Sequence, residues 1–124
     1  MACTDATGAP VYTVLGYIQN DVAQSSIVPP SAMRIIKINP QAFSQAPSIL
    51  QVFVYAHECG HHASGDIVAG VFFYHDNLDR EVNADRIGIR LMRDKLNISL
   101  QTAQVIAAFF QNNPAMPPRS CDAR

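Results

Sequence analysis

The strongest constraint on how this chain can fold lies between Pro47 and Gly65. Ile49, Val52, Phe53, Ala56, Cys59, Gly60 and Ala63 recur there at i, i+3, i+4, i+7 spacing and lay one apolar stripe along a helix. Gly65 supplies the stop, because glycine enters the left-handed conformation of a helix C-cap without steric cost. Such a stripe has to be covered by other elements. A second helix is predicted over residues 77–96, with Asp79 and Glu81 early and Arg90, Arg93 and Lys95 late, a polarity that suits the helix dipole. A third follows Ser99 and ends near Asn112. Residues 34–39, Arg-Ile-Ile-Lys-Ile-Asn, read as a strand that Pro40 stops. Ahead of it, Val11, Val14, Leu15, Ile18 and Val22 share a helical spacing, so residues 11–22 are expected to be helical. Residues 25–31, with Pro29-Pro30, read as a connector. Segment 66–75 is expected to be irregular with a short strand at 71–74, and residues 113–124 to form an irregular tail. The fold class is therefore α+β: a short sheet on two helices, with an extra C-terminal helix.

A chain of 124 residues has room for one core, so residues 1–124 are taken as a single domain. Nine Lys+Arg against ten Asp+Glu give no basic excess, which argues against a nucleic-acid partner. The longest apolar-rich stretches, 49–56 and 105–110, fall well short of the roughly 20 residues of a membrane span. The opening Met-Ala-Cys-Thr-Asp-Ala lacks the basic and apolar regions of a signal peptide, which leaves the compartment to be read from the cysteines. Chain ends often lie close together, so a Cys3–Cys121 disulfide is expected, favouring a secreted or periplasmic protein. Free thiols at both positions would point to the cytoplasm instead. Cys59 faces the apolar stripe and reads as a buried structural thiol.

Residues 57–61 read His-Glu-Cys-Gly-His, the H-E-x-x-H pattern. Residues four apart on a helix lie one above the other, so His57 and His61 can both aim imidazole nitrogens at one ion. Glu58 sits about 100° further round. From there it can reach a water on that ion and accept its proton. Glu81, 20 residues after His61 and early on the next helix, completes a three-ligand set. Asp85, one turn beyond it, is placed to accept a hydrogen bond from the outer nitrogen of a ligand histidine. Ala84 and Gly88 would let that helix approach the Ala56/Gly60 region closely. Composition supports the cluster, for the two glutamates of the chain are Glu58 and Glu81, and three of its four histidines are His57, His61 and His62. One Zn2+ per chain is the expected cofactor.

These residues resemble the gluzincin metallopeptidases, in which H-E-x-x-H is completed by a glutamate on a following helix. The Glu81-x-x-Ala84-Asp85 form is similar to that of the prenyl-protein and heat-shock protease families, and the short length looks more like the soluble minigluzincins. The resemblance covers residues 51–92. It implies a zincin-like domain whose edge strand, residues 34–39, aligns extended peptide. It also implies His57, His61 and Glu81 as ligands, Glu58 as general base and Asp85 behind a ligand. The function so read is a metalloendopeptidase acting on peptide or unfolded protein. The alternative is a zinc-containing binding or regulatory module with little hydrolysis, prompted by the small size, and a chance motif in an inert domain would bind no metal at all.

Other residues are weighed against blander roles. His62 reads as a helix-surface histidine or a support to the site rather than a ligand. Tyr74 and His75 are candidates to stabilise an oxyanion, set against ordinary packing or loop surface. Arg80 and Arg86 read as surface pairs, and the Phe72-Phe73-Tyr74 run as core. The tail 113–124 is a wrap over the surface, with self-inhibition by covering the cleft as the other reading.

Overall fold

Ile35, Ile36 and Ile38 make the expected strand, and it takes the centre of the sheet. The computed structural model describes residues 2–65, 67 and 78–112. Three strands, β1 (Tyr12–Leu15), β2 (Ala23–Val28) and β3 (Met33–Ile38), form a sheet in the order β1-β3-β2. β1 runs parallel to β3, and β2 runs antiparallel to it. One helical turn, α1 (Pro40–Phe43), leads to three longer helices: α2 (Ser48–Ser64), α3 (Leu78–Leu96) and α4 (Leu100–Asn112). Helix α2 ends on Gly65 in the left-handed conformation, at φ 81°. The start of α4 is capped by Ser99, whose hydroxyl accepts a hydrogen bond from the Thr102 amide at 3.0 Å. Among the described residues no helix is long and apolar enough to cross a membrane.

Two expectations fail ahead of β3. Residues 11–22 are not a helix but β1 followed by a loop. Val11, Ile18 and Val22 are indeed buried, yet Leu15 points outward at 71% exposure. The β-branched and aromatic run Val11-Tyr12-Thr13-Val14 suits a strand, and β3 offers it a ladder from Tyr12↔Ile35 to Leu15↔Ile38. Residues 25–31 are not simply a connector, since 23–28 pair with β3 through six registered residues from Ala23↔Ile38 to Val28↔Met33. Serines are poor strand formers. Here the pairing partner, not local propensity, makes the strand. Strand β3 consequently has both edges occupied and is not the edge strand expected of residues 34–39.

The core has two parts, one on each side of α2. Toward the sheet lie Cys3, Val11, Val22, Ala23, Ile36, Ile38, Val54 and Cys59. Toward α3 and α4 lie Phe53, Ala56, Met92 and Ile106. The C-terminal half of α2 is thus covered all round, and His57 to His62 are all buried.

The cysteine pairing also differs from expectation. Cys3 is bonded to Cys59, with Cα atoms 5.8 Å apart, so it does not pair with Cys121, and Cys59 is a half-cystine rather than a free thiol. Cys121 lies outside the described residues. The bond fastens the N-terminal segment to α2, and other contacts repeat the fastening. The Ala6 amide donates to the His62 carbonyl at 3.1 Å. Asp5 pairs with Arg34 and accepts from the Thr7 hydroxyl, at 2.7 Å, and the Thr7 and Ala9 amides. Those hydrogen bonds, led by the Thr7 hydroxyl, hold its carboxyl below the usual range against the opposing effect of burial.

Candidate metal centre

Burying ionisable side chains is costly unless each finds a partner. His57, Glu58, His61 and Glu81 are only 1%, 0%, 4% and 4% exposed, and their partners come from two directions. On α3, Glu81, Ala84, Asp85 and Gly88 share one face at i, i+3, i+4, i+7 spacing, and that face packs on α2 around Ala56, His57 and Gly60. The approach is as close as the small residues suggest. A Cβ on Gly60 would lie 2.6 Å from the Ala84 carbonyl oxygen, and one on Gly88 would lie 2.9 Å from the Ala56 carbonyl carbon. Both obstacles are backbone, so neither helix can yield without moving away from the other.

That contact brings together the three residues expected as ligands. Glu81 Oε1 lies 3.0 Å from His57 Nε2 and 3.3 Å from His61 Nε2. One donor atom from each of the three residues falls within 4.8 Å of the others. Two donors at about 2.0–2.1 Å from a tetrahedral zinc would be separated by roughly 3.3 Å, so the spacings to Glu81 fit such an ion. Glu81 Oε1 is buried and makes no hydrogen bond of acceptable geometry, as a cation-facing oxygen would. The residues present can hold a metal ion.

Protonation states support the fit. Asp85 Oδ1 stands 2.7 Å from His57 Nδ1 and accepts its proton, which turns the Nε2 lone pair toward Glu81 and His61. The ring of His61 meets that of His57 edge to face, with centroids 4.8 Å apart. Burial by itself raises the Glu81 pKa, but the adjoining His57 and His61 side chains outweigh it and hold the carboxyl well below its ordinary value. A carboxylate so held stays ionised at neutral pH, as a ligand must.

From the sheet side, Glu58 is met by Ser25 on β2, whose hydroxyl lies 2.9 Å from Glu58 Oε1 and 3.0 Å from the Glu58 carbonyl oxygen. Glu58 Oε2 lies on the other side, 3.9 Å from His57 Nε2. Nothing in the sequence singles out Ser25, a serine in a stretch that reads as a connector. His62 is not at the surface but fully buried in contact with the sheet. Its Nε2–H donates to the Ile35 carbonyl at 2.9 Å, and burial pushes its pKa below the usual value despite that bond. Cys59 stands on the disulfide side of the helix, apart from the cluster. Tyr74, His75 and the tail 113–124 lie outside the described residues, as does the expected strand at 71–74.

Set against known proteins, the chain matches no protein-family model, no curated protein and no solved structure.

Proposed function

We propose that this chain is a zinc-dependent metalloendopeptidase of gluzincin type, acting on extended peptide or unfolded protein. The observation that carries the reading is the convergence of His57 and His61 of α2 and Glu81 of α3 within 4.8 Å, with the Glu58 carboxylate beside His57. Two imidazoles and a carboxylate form a donor set that suits zinc and leaves one tetrahedral position open. Bound there, zinc would supply Lewis-acid polarisation of the scissile carbonyl and a water acidic enough to lose its proton near neutral pH. Glu58 takes that proton at Oε2, the oxygen on the His57 side, and delivers it to the leaving amine. Asp85 keeps His57 in the tautomer the site needs.

Substrate alignment passes from β3 to β2. Among the described residues β2 pairs with β3 on one side only, and an extended peptide can add to the other edge of such a strand. The Cys3–Cys59 disulfide supports a secreted or periplasmic setting, where such bonds persist.

Metal analysis of the purified protein beside Glu81→Ala tests the reading. One zinc per chain is expected, lost in the variant, with peptide cleavage abolished by Glu58→Gln at full zinc content. A wild type that takes up no metal when zinc is added removes the proposal. A second reading, a zinc-containing binding or regulatory module, is favoured by the complete burial of Glu58. Stoichiometric zinc without cleavage of a broad peptide library would select it.

A further inference from the structure

We propose that Ser25 is the positioning residue for Glu58, holding one carboxylate oxygen so that the other serves as the proton acceptor. The role rests on the reading of Glu58 as general base; the contact does not. Ala23, Ser25 and Ile27 alternate onto one face of β2. Ala23 on that face is fully buried in the cluster shared with Val54 and Cys59 of α2. The register Ser25↔Ile36 therefore points the serine hydroxyl at α2, and a slip of one residue would turn it away.

The hydroxyl has one proton and two acceptors in range, Glu58 Oε1 and the Glu58 carbonyl. That carbonyl lies inside α2 and faces the amide four residues on, whereas a carboxylate oxygen is the stronger acceptor. The proton therefore goes to Oε1. Oε2 remains on the His57 side, where the metal cluster lies. A serine suits the task because it fixes the carboxylate with a single side-chain torsion, at little entropic cost. The two oxygens of Glu58 thus have different duties, set by a strand remote in sequence from the motif.

The chain has two glutamates, so labelling glutamate side-chain carboxyl carbons with 13C yields one signal from Glu58 and one from Glu81, assigned with Glu58→Gln and Glu81→Gln. In the zinc-loaded protein, Ser25→Ala should move the Glu58 signal and leave that of Glu81 in place. Ser25→Thr and Ser25→Val, matched in shape and both suited to a strand, separate the hydroxyl from packing, since only Thr should restore the wild-type position. With a fluorogenic peptide that the wild type cleaves, Ala and Val should lower kcat about tenfold at unchanged KM and zinc content, and Thr should recover it. An unmoved Glu58 signal in Ala and Val, in a protein that cleaves peptide, overturns the positioning role and leaves the peptidase reading standing. A Glu58 signal that moves in Ala and Val, beside a fully zinc-loaded wild type that cleaves nothing, overturns the peptidase reading, with Ser25 still holding the carboxylate.

Discussion

The two sides of α2 solve the same problem by different means. Toward α3, buried polar groups are met by residues at helical spacing on a second helix: His57 and His61 by Glu81, and His57 again by Asp85. Small residues, Gly60, Ala84 and Gly88, allow the contact. Toward the sheet, partners are gathered from distant segments: Cys3 for Cys59, Ser25 for Glu58, and the Ile35 carbonyl for His62. One side is built from repeated spacing, the other from tertiary pairing. The α3 side should therefore govern metal affinity, and the sheet side should govern stability and the posture of Glu58.

The largest expected effect tests that division from the sheet side. Replacing Cys3 and Cys59 by alanine opens a loop with a sequence separation of 56. Chain entropy alone then costs about 4 kcal/mol of stability. Denaturant unfolding of the pair variant should show this loss, while protein that remains folded keeps its zinc affinity. A parallel fall in affinity would mean that the disulfide side also shapes the cluster, and the division would be too sharp.

Gly88→Ala strikes the other side. Its Cβ would meet backbone atoms of Ala56 and His57 at 2.9–3.0 Å, forcing α3 outward. Overpacking, reduced by the better helix propensity of alanine, leaves a net loss of about 2 kcal/mol. Here stability and zinc affinity should fall together, because the displaced helix carries Glu81. Asp85→Asn is a milder probe of the same face. It keeps the shape of the side chain but removes the charge that orients His57, so zinc affinity measured by chelator competition should drop about tenfold with little change in folding. Unchanged affinity would show that His57 needs no support from α3 beyond Glu81.

The same contrast explains what was legible before the structure. Helical spacing is local, so α2, its end at Gly65, α3 and the His57/His61/Glu81/Asp85 set could all be read from intervals along the chain. The close packing of Gly60 on Ala84 and of Gly88 on Ala56 followed from the same intervals. Cysteine positions carry no pairing information, so Cys3–Cys59 could not be told from Cys3–Cys121. β2 was hidden because Ser25 and Ser26 are weak strand formers, and it exists through its ladder with β3. The false helix at residues 11–22 has a similar origin: Val11, Ile18 and Val22 are buried by a strand end and a loop that only the sheet brings together. Ser25 was invisible for want of β2.

The smallest effect concerns His62, whose partner comes from the sheet although its neighbour His61 faces α3. Burial lowers its folded pKa below the reference value of 6.5, so as pH falls through that value the unfolded chain takes up a proton that the folded chain refuses. Protons bound preferentially to the unfolded state reduce stability, by up to about 1.4 kcal/mol per pH unit for one site. The contribution is therefore fully present above pH 6.5 and is lost progressively below it, toward the folded pKa. His62→Gln can still donate to the Ile35 carbonyl but does not titrate. The other histidines and Glu81 are common to both proteins, so their acid sensitivity cancels in the comparison. Denaturant midpoints at about pH 7.5 and about pH 5.5 should show wild type losing ground to the glutamine variant on acidification. If instead the gap stays constant, His62 accepts its proton in the folded protein, and the contact with β3 is looser than the hydrogen bond to Ile35 implies.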